Sequence, residues 1–181
     1  MCTLIFDHLS TIESQVLSDC SVKIKISYFD SFISKKQQSD FCRKQLSILG
    51  CKDSAKQKFP SKFYSISHSK TFCVAAYSSN GTGCGIDVES TRAINPRLRN
   101  KLLNSIENKV IGEKLSTLSL WSIKEAAFKS DTYNAGKLLT NYKIFQIDNN
   151  CLYLRSEQKV FHAYIYKLLD KGVLAISTRI N

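Results

Sequence analysis

The sequence predicts an α+β fold built from two similar halves, each a small, mainly antiparallel sheet packed with helices. Three observations lead there. Strand-like alternation of apolar and polar residues recurs in two separate blocks, one before residue 90 and one after residue 142. Helical spacing fills the stretches 34–50 and 95–130. No low-complexity segment or linker divides the chain, so two halves meeting near residue 85 pack tightly against each other. There is no strict internal repeat.

Taken in order, SVKIKISYF (21–29) alternates as a half-buried strand does. SKKQQSDFCRKQLSILG (34–50) has helical spacing in Phe41, Gln45, Leu46 and Leu49, with Gly50 as the stop. Residues 51–62 read as a loop around Pro60. FYSIS, FCVAAYS and CGIDVE read as three strands, the last two joined by SNGTG, whose Asn80-Gly81 pair favours a tight hairpin. NPRLRNKLLNSIEN (95–108) reads as one helix with Pro96 near its first turn. EKLSTLSLWSIKEAAFKS (113–130) reads as a second, in which Leu118, Trp121, Ala127 and Phe128 share a broad face and Trp121 anchors it in the core. YKIFQID, CLYLRSE, KVFHAYIYKLL and VLAISTRI return to strands, the last two turned by DKG.

The 181 residues, 43% of them hydrophobic, suffice for one full domain or two small fused ones. No apolar stretch nears the roughly 20 residues a membrane helix needs. The start MCTLIFDHLS has no basic residues and carries Asp7, unlike a signal peptide. Seven scattered cysteines with no CxxC pair argue against a disulfide framework or zinc site and for a reducing, cytoplasmic setting. The net charge of +11 points to an anionic partner or to a merely solvated basic surface.

GIDVES (85–90) poses the central question. In a strand, Asp87 and Glu89 leave the same face, and their like charges repel unless a cation relieves them. In WSIKEAAFK (121–129), Glu125 and Lys129 are four apart and so neighbours on one helix face. Alone, that is an ordinary surface pair.

Together, GIDVE, then WSIKEAAFK, preceded by SISHS (65–69), resemble the 4′-phosphopantetheinyl transferases in order and spacing. The likeness spans roughly residues 35–145. The continuation AAFKSDTYNAGKLLTNYKI is most similar to the enterobactin-synthase-associated type, and a chain holding both halves resembles the larger, pseudo-symmetric, monomeric group. The resemblance implies a fold with residues 1–85 on the adenosine and 3′-phosphate side of coenzyme A. Residues 86–181 would carry the metal and the catalytic helix, with the active site between them. It implies transfer of the phosphopantetheine arm of coenzyme A to a serine of an acyl or peptidyl carrier protein, in nonribosomal peptide or siderophore synthesis for this type.

By the same resemblance, Asp87, Glu89 and Glu125 hold Mg²⁺, with Mn²⁺ as the alternative ion. A hard ion of that kind takes a few carboxylates and completes its shell with water and phosphate oxygen. Glu125 is also the candidate base, and Lys129 contacts the phosphates. His68 would bind the 3′-phosphate with Ser67 beside it, and Arg43 in DFCRKQL the adenosine end, where a planar guanidinium suits phosphate or adenine. Lys35 and Lys36 can add to that pocket or simply be a solvated helix start. The sequence departs from the family at CKDSAKQKFPS (51–61). Asp53 stands near an expected adenine-binding lysine, for which Lys52, Lys56 or Lys58 can substitute. Glu107 in LLNSIEN resembles a family Ser-x-x-Glu pattern, implying a helix-start or positioning role. Carrier proteins are acidic, so Arg92, Arg97, Arg99 and Lys101, which flank the metal motif, are candidates for carrier docking.

Two other readings stay open. One is a binding module of the same fold, for carriers or coenzyme A, that has lost catalysis. The other is a nucleic-acid-binding protein, which charge alone suggests but no readout motif supports. The expected partners are coenzyme A and an acidic carrier, with no nucleic acid and no membrane.

Overall fold

Every strand runs antiparallel to its neighbours, and the strands divide between two sheets. The computed structural model describes residues 2–29, 34–51, 61–95 and 97–180, the side chains of residues 2–7 excepted. Pro60, Pro96 and the segment holding Lys52, Asp53, Lys56 and Lys58 lie outside the described residues. The described elements are α1 (Cys2–Cys20), β1 (Lys23–Tyr28), α2 (Lys35–Ile48), β2 (Tyr64–His68), β3 (Phe72–Tyr77) and β4 (Cys84–Ser90), then α3 (Arg97–Leu102), α4 (Ser105–Ile111) and α5 (Thr117–Ser130). Four strands follow: β5 (Lys143–Asp148), β6 (Cys151–Ser156), β7 (Lys159–Lys167) and β8 (Gly172–Ile180). No described helix is long and apolar enough to cross a membrane. The first sheet has the order β1-β3-β2 and the second β4-β8-β7-β6-β5. The α+β class is therefore as predicted, with sheets of three and five strands.

The amphipathic α1 packs Leu9, Ile12 and Val16 into the main core, an i, i+3, i+7 spacing that makes one apolar stripe. That core also takes Ile24 and Ile26 from β1, Phe72 and Val74 from β3, Ile86 and Val88 from β4, and Leu174 and Ile176 from β8. It thus draws on both sheets, and residue 85 falls within the strand β4. A second core lies under α5, against β5 to β8.

The hairpin expected at SNGTG does not form. Gly81 and Gly83 turn the chain with φ of +65° and +93°, but β4 leaves β3 and pairs with β8, Asp87 opposite Ala175. Serine hydroxyls of β2 join the two sheets instead. Ser65 Oγ accepts the Ile86 N–H at 3.1 Å, and Ser67 Oγ accepts the Val88 N–H at 3.2 Å. These bonds satisfy the free edge of β4, whose amides would otherwise be buried without partners.

The single helix read over 95–108 is two. Asn104 breaks it as the N-cap of α4, in a capping box with Glu107. Glu107 does more than cap. Its Oε1 receives the Lys124 ammonium at 2.6 Å and the Ile144 N–H at 2.9 Å. Lys124 is 0% exposed; burial lowers its pKa, and Glu107 opposes that shift. In α5 the deepest apolar residues are Leu120, Ile123, Ala126 and Ala127. Trp121 and Phe128 pack against this core while half-buried, as expected of the helix's apolar face, and Leu118 is half-buried as well.

Gly85 sets how closely α5 approaches β4. A Cβ there would sit 1.9 Å from the Ala126 carbonyl oxygen and 2.4 Å from the Ser130 nitrogen, both rigid backbone atoms. Gly85→Ala should therefore push α5 off the sheet and cost about 3 kcal/mol, the upper end for overpacking, read as a lowered urea midpoint.

At the end of α5, the Asp131 side chain is 0% exposed. Lys159 and Lys137 donate to it at 2.8 and 2.9 Å, Tyr142 at 3.0 Å and the Tyr133 N–H at 3.1 Å. Burial would raise its pKa, but these donors prevail and hold it at about 2. Because the folded value lies below the unfolded one, this carboxylate stabilises the fold above about pH 4 and ceases to do so as pH falls towards 2. Asp131→Asn should cost about 3 kcal/mol near neutral pH. The gap from wild type should narrow through that acid window in denaturant titrations.

Candidate active site

The cavity of interest opens where β4 lies beside β2 under α5. It has a volume of about 280 Å³, and its walls include Ser67 and His68 from β2, Asp87 and Glu89 from β4, and Trp121, Glu125 and Lys129 from α5. Alternation along β4 sends Ile86 and Val88 to the core and Asp87 and Glu89 to the opposite face, towards α5. On α5, Ser122, Glu125 and Lys129 follow an i, i+3, i+7 spacing, so one stripe of the helix meets that face.

Asp87 is the hub. Its Oδ1 receives Lys129 Nζ at 2.8 Å and Ser67 Oγ at 3.1 Å, and its Oδ2 receives Ser122 Oγ at 2.7 Å. Ser67 in turn receives Lys129 Nζ at 3.3 Å. Lys129 thus reaches across to β4, rather than making the Glu125 pair that spacing along the helix suggests. Glu89 is held by Arg92 at 3.2 Å.

Negative charge exceeds its local compensation. Burial, then repulsion from Asp87, pushes the Glu89 pKa up. Burial also raises Glu125, with Asp87 adding to it and Lys129 working against it. His68 moves the other way: burial, then the charges of Lys129 and Lys35, lowers its pKa, so the imidazole is neutral near pH 7.

The oxygen donors suit a hard dication in kind, and Asp87 and Glu89 repel each other enough to add to the burial that raises Glu89. Among the described residues, however, no three acid, histidine or cysteine side chains are grouped closely enough to ring an ion as they stand. The Lys129 ammonium already occupies one oxygen of Asp87. Mg²⁺ needs only one or two protein carboxylates when phosphate and water complete its shell, so the donor set fits an ion that arrives with a phosphorylated substrate.

The remaining candidates are dispersed. Arg43 is half-buried on α2, where its charge acts on Tyr64, and it does not line the cavity. Lys35 and Lys36 are exposed at the start of α2, and the charge of Lys35 is felt at His68. Arg97 and Lys101 are exposed on α3. Arg99 is not a free rim charge. It donates to the Leu115 carbonyl at 2.8 Å and to the Gly112 carbonyl, tying α3 to the chain entering α5. Arg92 is committed to Glu89.

Two contributors were not singled out as site residues from the sequence. Ser122 grips Asp87, and its place on the Glu125–Lys129 stripe was a usable signal. Trp121 walls the cavity, and nothing in its spacing separated that role from the core. No family model matches this chain, and no curated protein matches it.

The charge excess has a measurable consequence. A carboxyl whose folded pKa is raised weakens the fold as pH climbs from its unfolded value through its folded one. Glu89→Gln and Glu125→Gln should each raise the thermal midpoint of the ligand-free protein near pH 7. Neither should do so near pH 3, where wild-type carboxyls are already protonated.

Proposed function

We propose that this protein transfers the 4′-phosphopantetheine arm of coenzyme A to a serine hydroxyl of an acidic carrier protein. One observation carries the reading. SISHS, GIDVE and WSIKEAAFK, dispersed over 65 residues of sequence, contribute Ser67, His68, Asp87, Glu89, Glu125 and Lys129 to a single cavity. A likeness in motif order thereby acquires a site with the required charges.

In the proposed reaction, the carrier serine oxygen bonds to the β-phosphorus of coenzyme A. The bond from that phosphorus to the bridging oxygen breaks. Adenosine 3′,5′-bisphosphate leaves with the electron pair, and the serine proton passes to a base. Such transfers depend on positioning and charge neutralisation. Mg²⁺ or Mn²⁺, held by one or two of the Asp87, Glu89 and Glu125 carboxylates, would neutralise pyrophosphate oxygens when bound. Glu125 takes the serine proton; burial raises its pKa in the ion-free protein, and an ion bound to it would lower that again. Lys129 offers its ammonium to the charge on the leaving bisphosphate. His68 is neutral in the free protein and donates a ring N–H to the 3′-phosphate, gaining a proton more readily beside that dianion. Ser67 and Ser122 orient Asp87 by donating one hydrogen bond to each of its oxygens. Arg97 and Lys101 remain the exposed cations for an acidic carrier, and Arg43 and Lys35 the candidates for the adenosine end.

The test is direct. The protein is incubated with coenzyme A, Mg²⁺ and a panel of apo carrier proteins, which are then weighed by mass spectrometry. A gain of one phosphopantetheine on a carrier is expected, lost with EDTA and with Asp87→Ala. Glu125→Gln should lower turnover at least about a hundredfold, the lower range for a general base. Full activity in that variant would remove both roles given to Glu125. No gain on any carrier, with coenzyme A binding retained, would replace the transferase by the binding module.

A further inference from the structure

A second cleft, of about 220 Å³, lies beyond the carboxyl end of α5 and shares no lining residue with the cavity around Asp87. Its walls come from four separate places. The turn between β3 and β4 brings Gly81, Thr82 and Gly83, the chain leaving α5 brings Ser130 and Thr132, and Lys62 and Arg179 supply two cations. Gly81 and Gly83 have positive φ, so this turn presents bare backbone to the cleft. Gly83 is closely packed as well: a Cβ there would sit 2.7 Å from the Ser130 carbonyl oxygen and 3.3 Å from Arg179 Cβ.

Among the described residues the two cations, Lys62 and Arg179, have no counter-ion. Arg179 Nε is shielded from solvent and has no hydrogen-bond partner among the described residues. A shielded guanidinium N–H without an acceptor costs the protein its lost hydration, a cost that an acceptor entering the cleft would relieve once the side chain turned towards it. Cations also gather at helix carboxyl ends to complement the dipole. That role is electrostatic and is served by the two cations where they stand, but it leaves the Arg179 Nε N–H without an acceptor. An oxyanion answers the need: a guanidinium and an ammonium converging on a small polar cleft match a tetrahedral phosphate.

We propose that the cleft bounded by Arg179, Lys62 and the Gly81–Gly83 turn binds a phosphate-class oxyanion, either inorganic phosphate or the phosphate monoester of a small molecule. The site is independent of the transferase reading. Arg179 makes the paired contact, Lys62 adds charge from the rim, and Thr132 lends a hydroxyl.

The experiment is an amide-shift titration of the ¹⁵N-labelled full chain with inorganic phosphate and, separately, with glycerol 3-phosphate. Saturable shifts at Thr82, Gly83 and Thr132 are expected. Arg179→Gln should weaken the response about tenfold, as loss of a charge-assisted pair does. Lys129→Gln, which alters the other cavity, should leave it intact. Tighter binding of the monoester would assign the site to a small-molecule phosphate, and tighter or equal binding of the free ion to phosphate itself. The proposal is overturned if those amides show no saturable shift. It is also overturned if Arg179→Gln responds like wild type, or if shifts are confined to Ser67 and His68 and vanish in Lys129→Gln. Should Arg179→Gln fail to fold, Lys62→Gln, at an exposed position, makes the same comparison.

Discussion

The close approach of α5 to β4 is the constraint on which the rest depends. Only a residue without a side chain at position 85 lets the helix backbone come this near the strand. That proximity brings Ser122 within 2.7 Å and Lys129 within 2.8 Å of the two oxygens of Asp87. A helix standing a further side chain away would leave Asp87 buried with fewer donors, a costly position for a carboxylate. Gly172 serves the same geometry from the next strand, since a Cβ there would meet the Glu89 carbonyl oxygen at 2.2 Å.

Holding α5 in place is the work of buried polar networks behind and beyond the cavity. Lys124 and Glu125 are consecutive, yet Lys124 is locked in the interior against Glu107 while Glu125 lines the cavity. Glu107 is itself fixed three ways, by the cap of α4, by Lys124 and by the backbone of β5. Asp131 pins the chain where it leaves the helix. Buried pairs of this kind contribute modest net stability, because desolvation offsets much of the attraction. They do restrict which arrangement satisfies every partner, and here that arrangement faces Glu125 towards β4.

The front of α5 has the opposite character. Its cavity holds three carboxylates against the cations of Lys129 and Arg92, and burial raises the pKa of Glu89 and Glu125, with Asp87 adding to both. A rigid scaffold with satisfied networks thus supports a pocket left short of positive charge. Perturbed carboxylates in a concave site are the arrangement expected where a cation and a phosphorylated ligand bind together.

Much of this was legible in the sequence. Alternation in GIDVE put Asp87 and Glu89 on one face, and helical spacing put Glu125 and Lys129 on another, because strand and helix periods are local properties of the backbone. Strands β5 to β8 were legible for the same reason, and motif order associated Ser67 and His68 with the acids. Partner choice was not legible. Asn80-Gly81 is a sound hairpin signal, but β4 bonds β8 and the β2 serines, contacts made by residues 21 to 94 positions away. The break at Asn104 is a local capping box with Glu107 that the single-helix reading passed over, and Trp121 serves both the core it packs against and the cavity, a division that spacing cannot give. Lys129 favoured Asp87 over Glu125 because the fold supplied a better-buried acceptor. The sequence by itself determined the elements, their faces and the chemical groups available, all of which act over a few residues. Tertiary structure alone decided which groups meet, because that depends on backbone approach, burial and competition among distant partners.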